Sequence, residues 1–137
     1  MNIFFYGLFM DRAVLAEKGI VPSSIVTGHV DGFAIRIGAR ATLRPCPGAR
    51  AYGVMMDIAA VDAERLYADP GVADYLPECV AVILSDGSVA EALCYNLPAD
   101  KVAGTNRDYA RALASLAASL GFPRTYLDEI GHAGGGA

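Results

Sequence analysis

The stretch Phe4-Phe5-Tyr6-Gly7-Leu8-Phe9-Met10 decides how this sequence is interpreted. The run from Ile3 to Tyr6 is aromatic and β-branched, which is typical of a buried strand. Gly7 has no Cβ, so the backbone behind the strand can approach a neighbouring group closely. Successive N–H groups of such a loop can face one side and bind an anion. The stretch therefore predicts a first strand that leads directly into a ligand-binding loop.

Hairpin-linked strands dominate the sequence outward from this stretch. Asp11 predicts the cap of a short helix over residues 12–18, and residues 25–37 read as a bulged strand or a hairpin. Turns are predicted at residues 45–48 and at Asp86-Gly87, the latter a two-residue hairpin turn of type I′. Further strands are predicted over residues 40–44, 50–58, 78–85 and 88–95, and further helices over residues 59–67 and 106–120. The order predicts an α+β fold in which a curved, mainly antiparallel sheet or small barrel carries peripheral helices.

The composition fits one folded domain. The chain has 137 residues, of which 54% are hydrophobic and 19% are charged, and its net charge is −4. Dispersed arginines without a basic run argue against a nucleic-acid surface. No stretch approaches the ~20 apolar residues of a membrane span, and the start lacks the basic region of a signal peptide, so we expect a cytoplasmic protein. We expect the domain to cover residues 1–131, followed by a flexible Gly-rich tail over residues 132–137.

The cysteines and histidines predict neither a metal site nor a disulfide framework. Cys46, Cys79 and Cys94 are far apart, and the two histidines lie near opposite ends of the chain. No CxxC spacing occurs, so we expect no zinc site and no cofactor. A two-residue turn at Asp86-Gly87 would place Cys79 opposite Cys94, but cytosolic thiols stay reduced.

Several local patterns, in this order, resemble the γ-glutamylcyclotransferase-like family, which includes the AIG2-like proteins. The opening stretch resembles the family's F-x-Y-G-S-[NL]-[ML], and the hairpin that ends in Tyr95 resembles a family strand that closes in a tyrosine. Tyr109, early in the last long helix, is similar to a tyrosine that the family uses near its cavity. A strand pair of the family, A-T-[LI]-x-x-x-P-G followed by x-G-V, is similar to Ala41-Thr42-Leu43-Arg44-Pro45-Cys46-Pro47-Gly48 and Tyr52-Gly53-Val54. The resemblance covers about residues 3–122.

The resemblance implies a small mixed barrel with a cavity at one end. Enzymes of the family cyclise a γ-glutamyl group: the α-amine attacks the γ-carbonyl, which gives 5-oxoproline and releases the amine or peptide. This reaction needs a base for the α-ammonium and donors for the developing oxyanion. In the family a carboxylate is the base, and the Tyr-Gly-Ser loop resembles an anion-binding nest.

Two positions depart from the family pattern. Leu8 stands where the family usually has a serine, which removes a hydroxyl and makes the loop more apolar. The base of the family lies in a stretch resembling L-D-x-x-E-G, which here reads Leu66-Tyr67-Ala68-Asp69-Pro70-Gly71. Pro70 thus occupies the glutamate position, and proline cannot accept a proton. Asp69 and Glu78 are the candidate replacement bases, and for each a turn or surface role is the alternative.

The predicted pocket combines the opening loop with later residues. Its candidate binding residues are Tyr6, Gly7, Leu8, Phe9, Arg40, Tyr95 and Tyr109. Arg40 could pair with a substrate carboxylate, and the alternative is a solvated face shared with Arg36 and Arg44. Three functions remain open: a cyclotransferase with a displaced base, a catalytically inactive member that binds a small acidic metabolite or a protein partner, and an enzyme of altered chemistry. The sequence does not indicate the oligomeric state.

Overall fold

A closed five-stranded barrel forms the centre of the protein. A computed structural model describes residues 1–134. The strands follow the order β1-β3-β2-β4-β5 around the barrel. Neighbouring strands are antiparallel except β1 and β5, which are parallel. The barrel strands are β1 (Asn2–Phe5), β2 (Ser24–Ile37), β3 (Ala41–Asp57), β4 (Leu76–Leu84) and β5 (Val89–Asn96). The predicted mixed, mainly antiparallel α+β barrel is confirmed.

Helices surround the barrel. They are α1 (Arg12–Glu17), α2 (Ala60–Tyr67), α3 (Arg107–Ser119) and α4 (Arg124–Ala133), with short 3-10 helices at Leu8–Met10 and Ala99–Lys101. The side chains of Asp11 and Asn106 accept backbone N–H groups and cap α1 and α3, as N-cap residues do. No helix within residues 1–134 is long and apolar enough to cross a membrane. Helix α4 continues past the predicted domain boundary at residue 131, and residues 135–137 of the predicted tail lie outside the described range.

Strands β2 and β3 form one long hairpin, and this corrects the predicted turn at residues 45–48. Asp31 pairs with Arg50, whereas Phe33 pairs with Pro45, so four residues of β3 face the single Gly32 of β2. Gly32 and Gly48 both have a φ of 83°, a conformation that glycine adopts readily. The two strands therefore accommodate the extra residues of β3 as a bulge, without a reversal of the chain. The chain reverses instead at residues 38–40, after β2 ends at Ile37. The bulged-strand alternative for residues 25–37 is therefore the one observed.

The turn between β4 and β5 is one residue longer than predicted. Ile83 pairs with Val89, and the Leu84 N–H donates to the Ser88 carbonyl, so Ser85, Asp86 and Gly87 form the loop. Gly87 has a φ of 88°, as expected for the last residue of a three-residue loop. A shift of one residue changes every cross-strand partner. Cys79 faces Leu93 and is exposed, whereas buried Cys94 faces Glu78, so the predicted opposition of Cys79 and Cys94 is wrong.

Strand β1 closes the barrel in its most tightly packed region. Ile3, Phe4 and Phe5 are almost completely buried between β3 and β5. Gly53 of β3 lies against β1 so closely that a Cβ at this position would overlap the Phe5 carbonyl oxygen and approach the Phe4 ring to 2.5 Å. A backbone carbonyl within a sheet cannot move aside, so β3 requires glycine here.

This contact predicts that Gly53→Ala lowers the free energy of unfolding by about 1–3 kcal/mol, the usual range for an overpacked core. Gly131→Ala is the matched control: it lies within α4 and its added Cβ would meet no atom within 4 Å. The control should be neutral or stabilising by about 0.5–1 kcal/mol, because alanine favours a helix. Urea denaturation measures both values, and equal effects of the two changes would contradict the packing assigned to Gly53.

Candidate functional site

An aromatic pocket of about 350 Å³ opens beside the end of β1. The loop after β1 forms one wall, the β2–β3 turn and residues 71–75 form another, and α2, β5 and α3 contribute one tyrosine each. Five of the chain's seven tyrosines line the pocket. Its lining includes Tyr6, Gly7, Leu8, Phe9, Arg40, Tyr67, Tyr75, Tyr95 and Tyr109. We call this cavity the aromatic pocket.

Two tyrosine hydroxyls hold the opening loop in place. The Tyr6 hydroxyl donates to the Tyr95 carbonyl at 2.6 Å, which ties the end of β1 to β5. The Leu8 N–H donates to the Tyr109 hydroxyl at 3.2 Å, which ties the loop to α3. A Cβ on Gly7 would lie 2.5 Å from that hydroxyl, so glycine is needed for the close approach. The Gly7 and Phe9 N–H groups donate no hydrogen bond within residues 1–134.

Stacked aromatic rings make the body of the pocket apolar. The rings of Tyr67 and Tyr95 stack with centroids 3.8 Å apart and planes 8° from parallel. The Phe9 ring packs edge-on against the Tyr67 ring with centroids 6.1 Å apart, and the centroid of the Tyr75 ring lies 6.2 Å from that of Tyr67. Leu8 adds an aliphatic side chain where the family pattern has a hydroxyl. A ligand in this space therefore contacts flat apolar surfaces over most of its body.

The phenols of the pocket are hydrogen-bond donors, not bases. Burial raises the pKa values of Tyr6 and Tyr67 well above the usual value, and burial also raises those of Tyr75 and Tyr109. All four therefore stay protonated at neutral pH. The Tyr75 hydroxyl donates to the Ala41 carbonyl, whereas the Tyr67 hydroxyl has no partner in the described part of the chain.

Arg40 supplies the positive charge at the rim. Its guanidinium donates to the Gly71 carbonyl at 3.3 Å and to Asp74 at 3.2 Å, and it lies 5.8 Å from the centre of the Tyr75 ring. The pair with Asp74 is half-exposed on both sides, so it contributes little energy and can yield to a ligand carboxylate. Arg36 and Arg44 lie away from this pocket, because the reversal at residues 38–40 separates Arg40 from them.

The structure does not bring either predicted base to the aromatic pocket. The Asp69 carboxylate accepts the Gly71 N–H at 2.9 Å and so stabilises the turn after α2. Glu78 lines a different cavity, next to Arg36 and Arg44. Pro70 is exposed and does not line the aromatic pocket either. A base must reach the proton it removes, and neither Asp69 nor Glu78 lines the aromatic pocket, so a catalytic role for either residue stays a prediction.

The binding residues predicted from the sequence do lie together. Tyr6, Gly7, Leu8, Phe9, Arg40, Tyr95 and Tyr109 all line the aromatic pocket. Tyr67 and Tyr75 were not predicted as site residues. The spacing of Tyr67 from Ala63 and Leu66 on α2 matches one helical face and could have indicated it, but Tyr75 follows an irregular segment without a periodic signal. Among residues 1–134, no group of His, Cys, Asp and Glu side chains could hold a metal ion.

Comparison with solved structures identifies the fold. A γ-glutamyl cyclotransferase matches with a TM-score of 0.78 and 17% identity over 94% of this chain and 85% of that chain. An uncharacterized human protein matches with a TM-score of 0.76 and 19% identity over 94% and 85% of the two chains. A yeast γ-glutamyl cyclotransferase specific to glutathione matches with a TM-score of 0.65 and 12% identity over 100% and 98%.

The chain therefore has the fold of the γ-glutamyl cyclotransferases, as the sequence patterns predict. At these identities the likeness concerns the fold alone. No protein-family model matches the sequence, and no curated protein matches it significantly.

The contact between Gly7 and Tyr109 predicts non-additive effects of substitution. Gly7→Ala should lower the free energy of unfolding by about 1–3 kcal/mol, because its Cβ overlaps the hydroxyl. Gly7 has a φ of −107°, which alanine also adopts, so backbone strain is not the cause. In the Tyr109→Phe background the same change should cost at least about 0.5 kcal/mol less. Urea denaturation of the four proteins measures the coupling, and additive effects would contradict this packing.

The raised tyrosine pKa values predict a loss of stability at alkaline pH. Unfolded tyrosines ionise near pH 10, whereas the native ones stay protonated, so the unfolded state binds fewer protons above that pH. The stabilisation is complete at neutral pH and is lost as pH rises above about 10. In Tyr6→Phe the free energy of unfolding should fall less steeply with pH. The difference between the two slopes should reach up to about 1.4 kcal/mol per pH unit. Urea denaturation between pH 8 and 11 measures both slopes, and identical slopes would contradict the protonation assigned to Tyr6.

Proposed function

We propose that this protein is a non-catalytic counterpart of the γ-glutamyl cyclotransferases that binds a small carboxylate in the aromatic pocket. The observation that supports this proposal is the absence of Asp, Glu, His, Lys and Cys side chains among the residues that line the pocket within residues 1–134. Cyclisation needs a group that accepts a proton from the α-ammonium. Phenols with raised pKa values cannot do this near neutral pH.

The same composition favours a particular class of ligand. The pocket presents Arg40, the free N–H groups of Gly7 and Phe9, and the Tyr67 hydroxyl, which are all donors. Such a set matches a carboxylate. No carboxylate lines the pocket, and Asp74 at the rim already pairs with Arg40, so an ammonium group in the body of the pocket would be buried without a partner. The preferred ligand is therefore a carboxylate without a neighbouring ammonium, of the kind that 5-oxoproline or an N-acyl amino acid provides.

We expect no release of 5-oxoproline when the purified protein is incubated with γ-glutamyl amines and γ-glutamyl amino acids. Chromatography of the products measures this. Turnover would contradict the proposal, and its loss in Asp69→Asn or Glu78→Gln would identify the base. In binding titrations, 5-oxoproline and N-acetylglutamate should bind more tightly than glutamate, because glutamate carries the unpaired ammonium.

The role of Arg40 in this binding can be tested with a matched pair of arginine variants. Arg40→Gln should weaken the binding of 5-oxoproline at least about tenfold, since it removes a charged donor. Arg50→Gln is the control. Arg50 is an exposed arginine of the same hairpin, pairs with Asp31, and lines neither the aromatic pocket nor the cavity that contains Glu78. Equal affinities of the two variants would contradict the role of Arg40.

A further inference from the structure

A second cavity, of about 280 Å³, shares no lining residue with the aromatic pocket. It lies between the β2–β3 hairpin, the start of β4 and the segment that follows β5. In contrast to the aromatic pocket, it contains charged and amide side chains and no aromatic ring. Its polar members are Arg36, Thr42, Arg44, Glu78 and Asn96. We call it the polar cavity.

Two arginines of the polar cavity lie close together without a protein partner. Arg36 pairs with Thr42 across the hairpin and Arg44 pairs with Ala34, so the two arginines are diagonal neighbours on one face. Neither guanidinium forms an ion pair or a hydrogen bond with any group in residues 1–134. Neighbouring like charges repel each other, and an anion between them would remove that repulsion. Two guanidinium groups also match the several oxygens of a phosphate.

A buried amide provides a third donor. Asn96 is only 6% exposed, yet it lines the polar cavity. Its Oδ1 accepts the Leu43 N–H at 3.1 Å, and this contact fixes the orientation of the amide. Its Nδ2 group, by contrast, has no acceptor in the described part of the chain. A buried donor without a partner is costly, so a phosphate oxygen at this position would satisfy it.

Glu78 adds a single acceptor to this group of donors. It faces Cys94 across the β4–β5 pair, and it forms no ion pair within residues 1–134 despite the two arginines that line the same cavity. A carboxylate would repel a simple anion but would attract a ligand that carries a positive group beside its phosphate. At about 280 Å³ the cavity lies just below the usual volume range of small-molecule pockets, which favours a small ligand. We infer that the polar cavity binds a small phosphate monoester that also carries an ammonium group.

The test compares phosphoethanolamine with ethyl phosphate, which has the same two-carbon phosphate ester but lacks the ammonium group. NMR titration of the intact protein follows the Asn96 side-chain amide and gives a dissociation constant for each compound. Both compounds should shift this signal to saturation, and phosphoethanolamine should bind more tightly. Arg36→Gln and Arg44→Gln should each raise the dissociation constants of both compounds at least about tenfold. Arg124→Gln, an exposed change on α4, should leave both constants unchanged.

Glu78→Gln tests the recognition of the ammonium group separately from the recognition of the phosphate. Phosphoethanolamine should lose its advantage in this variant, and ethyl phosphate should bind more tightly than before, because a repelling carboxylate is gone. All the substituted side chains are exposed, so the native spectrum should persist. The inference is overturned if neither compound gives a saturable shift, if the double Arg36→Gln/Arg44→Gln variant binds as well as the native protein, or if phosphoethanolamine has no advantage that depends on Glu78.

Discussion

The closure of the barrel by β1 is the constraint on which the other features depend. The parallel pairing of β1 with β5 rests on the single register pair of Ile3 with Leu93. The hydrogen bond from the Tyr6 hydroxyl to the Tyr95 carbonyl adds a second connection at the open end of the same seam. Because Gly7 follows Tyr6 directly, the loop that forms the wall of the aromatic pocket begins where the barrel closes. The hydrogen bond between Tyr6 and Tyr95 therefore stabilises both the closed barrel and the wall of the pocket.

This shared role explains why the shape of the pocket does not depend on a carboxylate among its lining residues. The hydroxyls of Tyr6 and Tyr75 donate to backbone carbonyls, and the Tyr109 hydroxyl receives a backbone N–H, so these three side chains hold the walls together. None of these contacts needs a carboxylate. Pro70 does not line the pocket and takes part in none of these contacts. The contacts that shape the cavity therefore do not involve position 70.

The sequence predicted those parts of the structure that depend on local chemistry. The strand and loop from Ile3 to Met10 and the cap at Asp11 follow from residue type and neighbours in the chain, whereas the sequence left open whether Arg40 lies at the pocket or on a solvated face. The register of β4 and β5 did not follow, because the choice between a two-residue and a three-residue loop at Gly87 depends on packing across the barrel. Asp69 was a candidate base because it is adjacent to Pro70, and Glu78 because it lies at the start of the next predicted strand. In the structure the Asp69 carboxylate stabilises the turn after α2, and Glu78 lines the polar cavity.

The tripeptide Ala41-Thr42-Leu43 forms a wall that both cavities share. The Ala41 carbonyl accepts the Tyr75 hydroxyl on the side of the aromatic pocket. Thr42 accepts the Leu97 N–H at 2.9 Å, and the Leu43 N–H donates to Asn96, on the side of the polar cavity. A change in the backbone of these three residues alters both cavities at once. A substitution that displaces this backbone should therefore be felt at two separate openings of the barrel, whereas a substitution at the outer rim of one cavity should leave the other unaffected.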